Sequence, residues 1–166
     1  MSAGDRNSPA TGAEPGAAGD LSILSVNLSP EKGTVKRPAP EGRIDARGLA
    51  GDAHAGMGDR QISLLGVEAI ERFSQVLGRP ISPGEFAENL TVRGLDAGAV
   101  ALFDRFHVGP AELEVTQIGK ECHHRCAIFA AVGDCVMPRE GVFARVVRGG
   151  RVAVGDVIGS ARGLCD

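Results

Sequence analysis

Residues 119–126 place two cysteines, two histidines, a lysine and an arginine within eight positions. A thiol reacts and binds metals as its thiolate, and neighbouring cations favour that form by lowering its pKa. Cys122 and Cys126, flanked by Lys120 and Arg125, therefore have the makings of a nucleophile, a soft-metal ligand or a sulfur carrier. Free cysteine is also among the most buried residue types, so a purely structural role is the competing reading. Core packing, however, does not call for so much charge beside the thiols. A zinc site drawn from Cys122, His123, His124, Cys126 and Cys135 is chemically permitted. It is disfavoured because adjacent histidines rarely reach one ion and no paired C-x-x-C halves occur.

Further cations recur at Arg60, Arg139 and Arg145. An arginine fork holds phosphate bidentately, so this set could seat a small anionic cofactor, although each arginine alone is better read as solvated surface. Cys135 lies between apolar residues and reads as core or pocket wall, while Cys165, next to the last residue, reads as incidental. The glycine-rich stretch 48–56 contains His54 but neither a G-x-G-x-x-G nor a G-K-[ST] pattern. The stretch therefore does not read as a nucleotide loop, and His54 reads as a structural histidine.

The elements that must position these groups are short. A mostly alternating apolar run over 21–28 predicts a first strand, followed by a turn over 29–33 and a strand over 34–36. Pro38, Pro40 and Gly42 predict an irregular connection. A strand over 60–65 leads into a helix over 66–77, where Val67, Ile70, Phe73 and Leu77 share one face and Gly78 stands at the C-cap position. Residues 85–92 read as a loop entering a strand, with Gly94 as the turn. Runs over 103–108 and 111–118 pair across Gly109 and Pro110, and the second alternates strictly. A helical turn is expected over 127–132. Strands follow over 142–147 and 152–158, divided by a Gly149-Gly150 tight turn. Many short strands, one full helix and frequent Gly/Pro turns predict a mainly β protein, a closed or nearly closed β-barrel with one or two short helices.

Bulk properties narrow the class. Residues 1–19 lack any hydrophobic period and read as a disordered tail; 20–160 form the expected domain and 161–166 a flexible end. A formal charge of −3, with no Trp or Tyr, argues against a nucleic-acid partner. No apolar run approaches the roughly 18 residues a membrane span needs. Four cysteines without an export signal read as reduced thiols in a cytoplasmic protein.

The order of Gly58–Leu65, Phe86–Val92, the Lys120-Glu121-Cys122 stretch and Gly141–Gly150, ending in Val154-Gly155-Asp156, resembles the MOSC domain found at the C-terminus of molybdenum-cofactor sulfurases. The resemblance covers about residues 22–158 and implies a pyruvate-kinase-barrel-like fold. It also implies the handling of sulfur or of the molybdenum cofactor (molybdopterin) in cofactor biosynthesis or sulfuration. Cys122 best matches the family's sulfur-bearing or molybdenum-contacting cysteine, and Cys126 competes with it. Lys120, Arg125, Arg139, Arg60, His124 and Asn89 are the cofactor contacts expected with it. The chain has no room for the sulfurases' pyridoxal-phosphate domain, so it resembles a stand-alone member, and any pyridoxal phosphate would belong to a partner. Such a partner would be a cysteine desulfurase or a molybdoenzyme. The alternatives are a molybdenum-cofactor-dependent reductase acting on N-hydroxylated compounds and a non-catalytic cofactor-delivery module. Oligomeric state is not legible.

Overall fold

The computed structural model describes residues 21–32, 34–56, 58–119 and 136–161. In chain order its strands are β1 (Leu21–Leu28), β2 (Arg37–Ala39), β3 (Glu41–Asp45), β4 (Gly48–Leu49), β5 (Ile62–Gly66), β6 (Leu90–Arg93), β7 (Arg105–Val108), β8 (Ala111–Ile118), β9 (Val142–Arg148), β10 (Gly150–Ala153) and β11 (Val157–Ala161). Two helices accompany them, α1 (Val67–Leu77) and α2 (Met137–Glu140), with a short 3-10 turn at Ala97–Ala99.

Strands β11, β7, β8, β9, β5, β6 and β1 pair in that order, and β11 pairs back onto β1, so seven strands close a barrel with β2 appended to β1. The expected closed barrel is present. Period-2 alternation fills it: Leu113 and Val115 of β8 are fully buried inside, as are Ile62 and Leu64, Leu90 and Val92, and Val142 and Ala144 of the neighbouring strands. Outward, Glu112 and Glu114 meet Arg105, and Glu114 also meets Arg145, in an ion-pair ladder across β7, β8 and β9. Only β5 and β6 run parallel among the described pairs, and α1 makes the crossover that a parallel pair requires.

The apolar stripe of α1 packs with Leu65 and Phe143, from the outer face of the barrel, in a second core that includes Ile81, Phe86, Val136 and Met137. Gly78 ends the helix in the left-handed conformation, its amide donating to Ser74 O at 2.9 Å.

Four local expectations are corrected. The strand after β1 occupies Arg37–Ala39, not 34–36, and β3 follows where Pro38, Pro40 and Gly42 predicted an irregular connection. Pro38 is tolerated because β2 is an edge strand, hydrogen-bonded on one side only. Gly149-Gly150 makes no hairpin, since β9 belongs to the barrel and β10 to a three-stranded sheet with β3 and β4. A Cβ on Gly149 would stand 2.4 Å from Ile44 O, so close backbone approach, not a tight turn, explains this glycine. The run 152–158 divides into β10 and β11 around a turn at Val154-Gly155. Finally, Phe103 lies outside β7, half-exposed with φ 71°. The chain turns before the strand, with Asp104 Oδ2 accepting the Ala101 amide. The helical turn expected over 127–132 lies outside the described residues.

Candidate functional site

Alternation that aims Val26, Leu64 and Leu90 into the barrel leaves Ser25, Asn27, Ser63 and Thr91 on its outer face. Polar residues there would ordinarily be wet, yet all four are buried, together with Glu88 and Asn89. Each must therefore find partners inside the protein. Ser25 Oγ donates to Asn27 Oδ1 at 2.6 Å, and Asn27 Nδ2 donates to Thr91 Oγ1 at 3.0 Å and to the Glu88 carbonyl at 3.2 Å. Asn89 Oδ1 accepts the Ser63 amide at 2.9 Å, while its Nδ2 donates to the Asn27 carbonyl at 3.3 Å. The layer is a cross-linked sheet of hydroxyls and amides spanning β1, β6 and β5.

Glu88 is the exception. Thr91 Oγ1 donates to its Oε2 at 3.2 Å, but Oε1 is buried and has no hydrogen-bond partner among the described residues. Burial pushes the carboxyl up to about 7, against an ordinary 4.5; the amide dipoles of Glu88, Gly84 and Phe86 and the Thr91 hydroxyl offset only part of that.

A second group lies next to this layer. Lys36 Nζ meets Asp52 Oδ1 at 2.6 Å, with both side chains sealed from solvent at 1 % and 0 % exposure. Oδ1 also accepts the Ser29 amide, and Oδ2 accepts the His54 amide. Lys36 Nζ lies 3.0 Å from His54 Nδ1. Burial pushes the Asp52 carboxyl up, but hydrogen bonds from His54, Lys36 and the Ser29 amide outweigh it and hold the group well below the usual carboxylate range. His54 is the exposed edge of the group, its side chain 22 % accessible. Gly84 ties the two groups together: its carbonyl accepts the Lys36 amide at 2.8 Å. With φ +89°, a Cβ there would fall 2.2 Å from Lys36 O and 3.3 Å from Asn27 Cβ.

Of the residues the sequence singled out, Asn89 stands within the polar layer. Arg139 is exposed on α2 and Arg60 is half-buried just before β5, while Arg145 is engaged by Glu114 at 2.9 Å. Cys122, Cys126, Lys120, Arg125 and His124 lie outside the described residues, as do His123 and Cys135. The chain flanking them is described. Gly119 donates to Gly141 O, and Val136 packs in the same core as Phe86, beside the segment that carries Glu88. Lys36, Asp52 and Glu88 were not singled out in the sequence, and His54 was read as structural. The only hint was an Asp-x-His within glycines and an acid preceding a buried run. Among the described residues no three His, Cys, Asp or Glu side chains are grouped to hold a metal ion. A separate cavity of about 340 Å³, lined by Leu95, Asp96, Val100, Asp104 and Phe106 among others, has no cation or thiol among its described walls.

Comparison with known proteins adds three findings. The profile of the MOSC domain matches residues 50–159. YflK of Bacillus subtilis, an uncharacterized protein, is 29 % identical over 156 residues, covering 81 % of this chain and 70 % of the relative. Among solved structures, YuaD of Bacillus subtilis superposes with a TM-score of 0.71 at 20 % identity, covering 84 % of this chain and 94 % of its own. YiiM of Geobacillus stearothermophilus superposes at 0.68 and 23 %, covering 86 % and 75 %. At these identities the two structures speak for the fold.

Proposed function

Because this chain belongs to the MOSC domain family, we propose that it works in molybdenum-cofactor metabolism, taking up sulfur on Cys122 and handing it on at the cofactor. The observation that supports this reading most is the matched span itself, which takes in Cys122, Asp52, His54 and Glu88 together. A protein that only packed its core would have little use for a sealed Lys36–Asp52 pair and an orphaned carboxyl on one face of a barrel.

The anionic pterin cofactor is the substrate that would receive sulfur. The described residues offer polar and charged groups suited to its organic part, with His54 the accessible member. A metal contact would fall to Cys122. Lys120, Arg125 and Arg139 would hold the phosphate and favour the thiolate. Cys126 would resolve: its thiolate attacks the inner sulfur of the Cys122 persulfide, the S–S bond breaks, and sulfide leaves for the cofactor as a Cys122–Cys126 disulfide forms, which a dithiol reductant reopens.

Sulfur uptake balances without an added oxidant. The Cys122 thiolate attacks the outer sulfur of a persulfide on a cysteine desulfurase. The donor S–S bond breaks, the donor cysteine leaves as thiolate, and Cys122 becomes the persulfide. Incubation with a desulfurase and free cysteine should add the mass of one sulfur, about 32 Da, in the wild type and not in Cys122→Ala. An adduct that persists in Cys122→Ala would remove Cys122 from this role.

A reductase-like activity on N-hydroxylated compounds is favoured by one specific feature, the buried acid Glu88, since such reductions consume protons as well as electrons. Stoichiometric molybdenum and pterin after purification from cofactor-replete cells would support it, and their absence would count against it. Cofactor binding that survives loss of both thiols would instead indicate a delivery module.

A further inference from the structure

We propose that Glu88 is a proton-operated latch: while its carboxyl carries a proton, residues 79–89 stay clamped over the outer face of the barrel, and loss of that proton releases them. The geometry carries the inference. The Glu88 side chain is fully sealed from solvent, and Oε1 finds no hydrogen-bond partner among the described residues. The groups that meet it are Thr91 of β6, whose Oγ1 donates to Oε2, and the backbone amides of Gly84, Phe86 and Glu88 itself, while Asn27 of β1 donates to its carbonyl; all are neutral. The charged groups nearby are occupied elsewhere. Lys36 directs its ammonium to Asp52 and His54, and within the segment Arg79 pairs with Glu85 at the surface. No described cation forms a salt bridge with Glu88. A carboxyl fits such surroundings neutral and not as an anion.

The backbone of the segment leans the same way. Ala87, next to the latch, holds φ +63°, a left-handed conformation that a residue with a Cβ rarely adopts. It is pinned there by its own amide to Gly84 O and by the Asn89 amide to Ser63 O. On its apolar side the segment is anchored by Phe86, set edge-on to Phe73 with ring centroids 5.3 Å apart. On the polar side Glu88 shares the hold with Asn89, which is bonded to Ser63 and Asn27, and with the Lys36 amide on Gly84 O. Releasing Glu88 would loosen the Gly84 contact with Lys36 and uncover the Lys36–Asp52–His54 group. Burial that lifts the carboxyl to about 7 puts the switch in the neutral range.

The latch stands on this geometry alone; that it gates access to sulfur chemistry rests on the reading above. Hydrogen exchange on the full chain, with no sulfur donor present, keeps the two apart. After correction for intrinsic rates, protection of the Lys36, Ala87 and Asn89 amides should fall about tenfold between roughly pH 6 and pH 8, as linkage to a group titrating near 7 requires. In Glu88→Gln, which cannot ionise, that fall should vanish. Unchanged protection in the wild type, or the same fall in Glu88→Gln, overturns the latch. Should the variant not fold, carbon-13 NMR of the wild-type glutamate carboxyls decides: a Glu88 signal titrating near neutrality upholds the proposal, and one titrating in the ordinary carboxylate range ends it. A working latch on a chain that never gains sulfur would sink the sulfur reading and leave the latch standing.

Discussion

Lys36 and Asp52 show why a buried ion pair is a commitment made by both partners. Each side chain is sealed, and the 2.6 Å contact is the lysine's counter-charge. Removing one partner leaves the other charged in a low-dielectric site, whereas removing both leaves a neutral gap. Asp52→Leu or Lys36→Met alone should therefore cost about 3–5 kcal/mol. The double variant Lys36→Met/Asp52→Leu should regain much of that loss. Urea unfolding of the four proteins measures the coupling, and simple additivity of the two single changes would contradict it. His54 stands apart: its side chain is partly wet and meets Asp52 Oδ2 only at 3.4 Å, so His54→Gln should cost far less stability than either ion-pair change.

At the scale of elements, two glycines with nearly the same backbone make a controlled comparison. Gly84 and Gly155 have φ +89° and +93°, but a Cβ at Gly84 would strike Lys36 O whereas one at Gly155 meets nothing within 4 Å. Gly155→Ala should cost only the backbone term, on the order of 1–2 kcal/mol. Gly84→Ala must also push residues 79–89 off the barrel and should cost more. Equal melting shifts for the two would mean that the segment is not packed as described. The elements themselves were legible where one period governs one surface. Leu113 and Val115 against Glu112 and Thr116, or Val67, Ile70, Phe73 and Leu77, announce a strand and a helix without reference to distant residues. What could not be read depends on partners far away in sequence. Gly149 is set by Ile44, and β3 is made a strand by β10, although the prolines before it and its own Gly42 suggest a break. The site divides in the same way. The thiols and cations of 120–126 advertise chemistry by type alone. Lys36, Asp52 and Glu88 look like ordinary surface charges until Gly84 and the barrel bury them.

At the scale of the whole molecule, two buried carboxyls among the described residues are displaced in opposite directions, and together they shape its stability against pH. Asp52 is depressed below its ordinary 3.8, so its contribution is present above that value and is lost as pH falls through the folded one. Glu88 is raised from 4.5 to about 7, so its contribution is complete below 4.5 and is lost as pH rises through 7. Stability should thus peak on the mildly acidic side of neutrality. The span between 4.5 and about 7 corresponds to roughly 3 kcal/mol, a large share of the 5–15 kcal/mol typical of a domain. That figure is a ceiling, because opening residues 79–89 alone would relieve the ionised carboxyl and cap its cost at the free energy of local release. Urea midpoints measured from about pH 2 to about pH 8 should fall at both ends of that range in the wild type. In Glu88→Gln the alkaline limb should flatten while the acid limb, which belongs to Asp52, stays in place. An alkaline limb that survives Glu88→Gln would assign the neutral-range titration to another group and leave Glu88 a structural residue.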